Sequence, residues 1–143
     1  DWFKLDEWAA ELEKCRAEFG GQLTIRAGIE IGEPHIFETE TQAMLKRYPF
    51  DYVLGSLHWV GAETIFDPDY FRRRTQDEAF TAYFVELGRL TRIGEFDILS
   101  HFDVLIRAWG EMGGQYDPRE YEDVIRPVLR NCVERGIALD INT

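Results

Sequence analysis

Asp51-Tyr-Val-Leu-Gly-Ser-Leu-His58 reads as a short buried strand that closes on a histidine. Two further stretches have the same form: Thr24-Ile-Arg-Ala-Gly-Ile-Glu30 and Asp97-Ile-Leu-Ser-His101. Each is a brief, largely apolar run ending on a side chain that can bind a metal. A fourth run, Ile137-Ala-Leu-Asp-Ile-Asn142, ends on polar residues. In chains that alternate strands with helices, chemistry gathers at the carboxyl ends of the strands. Reading outward from these runs, strands are expected at 22–31, 51–58, 96–101 and 137–142.

The segments between them carry helical periodicity. Residues 4–19 place Leu5, Trp8, Leu12, Cys15 and Phe19 on one face, and Gly20-Gly21 stops the pattern. Residues 38–48 form a second amphipathic run before Pro49. Residues 61–75 read as a long polar loop in which Asp67-Pro68-Asp69 makes a turn. Thr75 and Glu78 then have capping-box spacing and open a helix that carries Phe80, Tyr83, Phe84, Leu87 and Leu90. Residues 107–116, rich in glycine, read as another loop. Asp117-Pro118 is an N-cap followed by proline at the first helical position. The helix beyond it is expected to bury Tyr121, Val124, Ile125, Val128, Leu129 and Cys132, to kink at Pro127 and to end at Gly136. Helix, three strand–helix pairs and a last strand make one α/β domain over 1–143 with a parallel sheet and right-handed crossovers. Four strands do not close a barrel, so the expectation is about half a barrel or a small open sheet.

Composition bounds the function. Apolar residues are 45% and aromatics 14% of the chain, so it is expected to fold. A net charge of −11 argues against non-specific binding to nucleic acid or an anionic membrane and suits a site that gathers divalent cations. No apolar run reaches the length of a membrane span, and no signal peptide is visible. Cys15 and Cys132 are expected as free, buried thiols in a reducing, cytoplasmic compartment. The chain opens on Asp1 and stops just past a strand-like run, so both ends are expected to be cut.

Taken singly, Glu30 reads as a solvated strand-end charge, and His58 and His101 read as core histidines. Taken together they point to a metal site. The chain has three histidines, and two of them occupy the same topological place on separate strands. The third, His35, lies in the Gly32-Glu-Pro-His35 loop beyond Glu30. A mixed imidazole–carboxylate set suits zinc, iron or manganese, which can activate water and polarise a phosphoryl or carbonyl oxygen. There is no G-x-S-x-G elbow, Walker A motif or G-x-G-x-x-G loop to compete. The Asp67/Asp69 pair is better read as the turn before a helix.

Gly28-Ile-Glu30, Gly55-Ser-Leu-His58, Leu99-Ser-His101-Phe-Asp103 and Leu139-Asp-Ile-Asn-Thr143 resemble, in order and spacing, successive motifs of the PHP (polymerase and histidinol phosphatase) family, in particular its histidinol-phosphatase branch. The resemblance implies part of a distorted seven-stranded, TIM-like β/α barrel. It also implies two or three divalent metal ions (zinc, manganese or iron) in the complete domain and hydrolysis of a small phosphorylated substrate, as in histidine biosynthesis. By resemblance, Glu30 is the carboxylate that bridges metals and acts in catalysis, and His58 and His101 are metal ligands. Arg107 falls where members carry a Lys or Arg for the substrate phosphate. Glu33 and His35 are not standard ligands of the family; from the mouth of the site they would contact substrate or a metal. The family's His-x-His, a further early histidine and the late Asp-x-His are missing and would lie outside the two ends. The implied chemistry is in-line attack on phosphorus by a metal-held hydroxide. The alternatives are a PHP exonuclease beside a polymerase, a non-catalytic PHP-like structural or regulatory module, and another metal-dependent barrel hydrolase acting on an amide or lactone.

Overall fold

A computed structural model describes residues 4–141. Asn142, which the sequence reading places at the end of the fourth strand, lies outside the described residues, as do Thr143 and residues 1–3. In chain order the elements are α1 (Leu5–Phe19), β1 (Gly28–Gly32), α2 (Glu38–Arg47), β2 (Tyr52–Ser56), β3 (Trp59–Val60), β4 (Glu63–Thr64), α3 (Pro68–Arg72), α4 (Gln76–Ile93), β5 (Ile98–Leu99), α5 (Val104–Glu111), a 3-10 turn (Pro118–Tyr121), α6 (Glu122–Arg135) and β6 (Ala138–Leu139). The four strands foreseen from the sequence form one parallel sheet in the order β1-β2-β5-β6, with β3 and β4 as a separate hairpin. No helix among the described residues is long and apolar enough to cross a membrane.

Register is fixed at the start of the strands by two aspartates used alike. The Asp51 N–H donates to Ala27 O, while Asp51 Oδ2 accepts the Ala27 N–H at 2.6 Å. The Asp97 N–H donates to Val53 O, while Asp97 Oδ2 accepts the Val53 N–H at 2.8 Å. Each side chain extends the ladder by one bond where backbone pairing has not yet begun. The ladders then run from Gly28 opposite Tyr52 to Gly32 opposite Ser56, and from Leu54 opposite Ile98 to Gly55 opposite Leu99.

The core lies between the sheet and the α4/α6 pair. From α4, Phe80, Tyr83, Phe84, Leu87 and Leu90 are all buried, as their spacing predicts. Phe80 stacks on Tyr116 and Tyr121 at 5.0 and 5.1 Å. The Thr75–Glu78 capping box forms as read from the sequence. The far ends of the two helices are tied by Asn131, which donates to Gly88 O, and by Arg135, which donates to the carbonyls of Thr91 and Gly94. Gly136 ends α6 at φ +69, a conformation that a side chain disfavours. On the other flank, Trp8 of α1 packs on Tyr48 and Phe50.

Several expectations are corrected. Residues 107–116 are not one loop: α5 runs to Glu111, because Val104 and Leu105 bury against the core and outweigh Gly110. The 61–75 stretch is not one loop: it holds the turn and the second strand of the β3–β4 hairpin, and α3. Gly61, at φ +62, makes the tight turn, and Asp67 caps α3 by accepting the Asp69 N–H. The first strand starts at Gly28, not residue 22, since only from there does β2 lie alongside. Cys15 is exposed, on the outer face of α1; Cys132 is buried, and burial pushes its thiol pKa up. Both are free. Leu129 remains 36% exposed, and Tyr121 belongs to the 3-10 turn that precedes α6.

Candidate metal centre

Three of the sequence-predicted residues converge at the carboxyl end of the sheet. Glu30 projects from β1, with two strand residues still to follow it. His58 lies two residues past β2, and His101 two residues past β5. The shared register of these strands brings the three side chains to one place from distant parts of the chain. One ligand atom from each lies within 4.8 Å of the other two. His58 Nε2 is 3.2 Å from His101 Nε2; Glu30 Oε1 is 3.3 Å from His101 Nε2 and 3.9 Å from His58 Nε2.

Local backbone explains how the imidazoles face inward. The Ser100 N–H continues the ladder onto Gly55 O, and His101 then turns at φ +28, with the Val104 N–H donating to His101 O. That unusual conformation turns the ring away from the strand direction. His101 Nε2 is the nitrogen that faces His58 and Glu30, while Nδ1 is buried without a hydrogen-bond partner among the described residues. His58 is held by the hairpin that follows it. The Ile65 N–H donates to His58 O, and the Phe66 ring lies 5.6 Å from the imidazole. The sequence reading, which saw a polar loop there, did not foresee this contact.

Burial is the main cause that lowers the His58 pKa; the His101 charge adds to it, while Glu33 and Glu30 oppose it. The ring is thereby biased to the neutral form that a metal needs. Two imidazole nitrogens and a carboxylate oxygen, close together and partly exposed, fit a divalent cation of the zinc, iron or manganese kind.

The remaining site candidates are placed differently. Glu33 is buried beside His58, and its Oε1 accepts the backbone N–H groups of His58 and Trp59. His35 does not join the cluster: its Nε2 pairs with Glu86 Oε1 of α4 at 2.8 Å, in a nearly closed setting. Arg107 is exposed on α5 and makes no ion pair among the described residues.

Comparison with known proteins follows the same lines. The PHP domain profile matches residues 1–143. The chain is 30% identical over 142 residues to the probable histidinol-phosphatase of Clostridium acetobutylicum, covering 99% of this chain and 54% of that protein. It is 25% identical over 141 residues to the histidinol-phosphatase of Lactococcus lactis, covering 97% of this chain and 52% of that protein. It superposes with a TM-score of 0.86, at 23% identity, on a crystal structure of histidinol phosphate phosphatase from Lactococcus lactis complexed with zinc, L-histidinol and phosphate; the match covers 98% of this chain and 54% of that one. The chain spans about half the length of the curated relatives it matches. With its sheet, its strand-end residues and a profile match over its full length, the chain belongs to the PHP domain family.

Proposed function

We propose that the chain is the metal-binding half of a metal-dependent phosphomonoesterase of the histidinol-phosphatase kind. The observation that carries this reading is the convergence of Glu30, His58 and His101 within 4.8 Å. Support comes from relatives named histidinol-phosphatases and from the zinc, histidinol and phosphate named with the structural neighbour.

Glu30, His58 and His101 would hold a divalent cation, and the complete domain would hold two or three. Bound there, such ions activate water and neutralise charge on a phosphoryl group. The residues supply the rest. Glu30, with Oε1 3.3 Å from His101 Nε2 and 3.9 Å from His58 Nε2, would be the negatively charged ligand of the set. The lowered pKa of His58 keeps a lone pair available near neutral pH. Arg107, on the helix that follows His101, offers a planar fork of donors to the substrate phosphate. The substrate is a small phosphate ester, with histidinol phosphate first among candidates. The acidic surface is no obstacle, because bound metal ions and Arg107 would supply positive charge locally.

The test has two readouts. Purified protein is assayed for zinc, iron and manganese beside a His58→Ala/His101→Ala variant, and the intact protein is assayed for release of phosphate from histidinol phosphate. We expect at least one equivalent of metal that is lost in the variant, and a Glu30→Gln protein that is folded but inactive. A fully active Glu30→Gln enzyme would sink the reading.

A further inference from the structure

Glu33 is an acid in a setting that disfavours one. It is 6% exposed and sits at φ +49, in the left-handed region. A carboxylate is costly to bury unless its oxygens are hydrogen-bonded, and a strained φ persists only where surroundings hold it.

Here the surroundings are the histidine turn. Glu33 Oε1 accepts the His58 N–H at 2.5 Å and the Trp59 N–H at 3.1 Å, and the Glu33 N–H donates to Ser56 O at 2.9 Å. These three bonds tie the loop after β1 to the turn after β2. The ring of His58 is a different matter: its Nδ1 is 3.9 Å from Glu33 Oε1, too far for a hydrogen bond. Glu33 therefore acts on the backbone that carries His58. The loop itself is anchored two residues on, where His35 pairs with Glu86, and Arg89 pairs with Glu86 in turn at 3.0 Å.

We propose that Glu33 is a positioning residue of the metal centre, holding the His58 turn against the end of β1 so that the His58 ring meets Glu30 and His101. This rests on the metal-centre reading given above. The role needs an acceptor oxygen at residue 33; it does not need a charge. Groups that orient a metal ligand typically alter affinity by about 10- to 100-fold when removed.

Zinc affinity is measured by titration for the wild type, Glu33→Ala and Glu33→Gln, with amide and imidazole NMR spectra of the metal-free proteins. Glu33→Ala should weaken zinc binding by about 10-fold or more and shift the His58 resonances. Glu33→Gln, which keeps an acceptor oxygen, should restore both to near wild type. Wild-type affinity in Glu33→Ala overturns the proposal. So does a loss in Glu33→Gln as large as in Glu33→Ala, because the charge would then be what matters. Should Glu33→Ala not fold, the glutamine variant decides: zinc binding weakened in it by about 10-fold or more overturns the proposal. If the folded wild type binds no zinc, the metal reading fails. The positioning role then rests on the NMR comparison alone, and it is overturned by unchanged His58 resonances in Glu33→Ala or, if the alanine variant does not fold, by His58 resonances displaced in Glu33→Gln.

Discussion

His58 and His101 stand 43 residues apart in the chain, yet their Nε2 atoms are 3.2 Å from each other. Two imidazole nitrogens at that distance cannot both carry a proton; one must present a lone pair. Glu30 Oε1 adds a carboxylate oxygen 3.3 Å from His101 Nε2. A cation held by all three relieves this crowding, and a ligand that binds only the native state stabilises it. With zinc at about 100 times its dissociation constant the gain is roughly 2.7 kcal/mol. Thermal unfolding with zinc and with chelator measures it. The shift should vanish in His58→Ala and in His101→Ala, and an undiminished shift in either variant would contradict the site.

The paired use of Asp51 and Asp97 predicts a stability cost far from the site. Asp97→Ala leaves the Val53 N–H without its 2.8 Å acceptor at the start of a nearly buried strand. An orphaned buried donor costs about 1–3 kcal/mol. The urea midpoint should fall accordingly, and Asp97→Asn, which keeps an acceptor oxygen, should recover part of it. Equal midpoints for wild type and Asp97→Ala would show that water satisfies the donor.

Gly55 is required by space. A Cβ on it would lie 2.5 Å from the Phe96 ring, which is itself buried. Gly55→Ala should therefore cost about 1–3 kcal/mol through overpacking. Because Gly55 pairs with Leu99, two residues before His101, the same variant should also weaken zinc binding. Combining it with Phe96→Leu should return part of the stability, which a double-mutant cycle in urea would detect.

Acid should destabilise the protein through a small set of carboxylates. The Thr75 backbone N–H, with the Thr75 hydroxyl, holds the Glu78 pKa low; Arg74 does so for Glu63; Arg119 holds Asp117 at about 2. Each has a folded pKa below its unfolded value, so its contribution is complete above the unfolded value, roughly pH 4. It is lost as pH falls through the folded value, down to about 2 for Asp117. Urea midpoints between pH 6 and pH 3 should fall with acidity, and Glu78→Gln should flatten the curve. Thr75→Ala, which removes the N-cap of α4, should cost about 1 kcal/mol at neutral pH. A Glu78→Gln curve parallel to wild type would remove the capping box from the explanation.

Much of this is legible in the amino-acid order. Apolar runs closing on Glu30, His58 and His101 announced parallel strands and a shared site. Thr75 and Glu78 announced a helix start, and Gly136 a helix end. These are local signals, carried by spacing, side-chain size and backbone freedom, and they act over a few residues. The missed elements were those in which tertiary packing overrode local punctuation. Burial of Val104 and Leu105 carried α5 through Gly110, and the turn at Gly61 folded a polar stretch into a hairpin that brings Phe66 to His58.

By itself, then, the amino-acid order determined the alternation of strands and helices and which side chains lie at the strand ends. It did not determine distances. That Glu30, His58 and His101 meet, that His35 instead pairs with Glu86, and that Glu33 is spent on the backbone of His58 were decided by sheet register and loop packing. Contacts across 25 to 71 residues depend on where whole elements come to rest, and no short-range pattern encodes that.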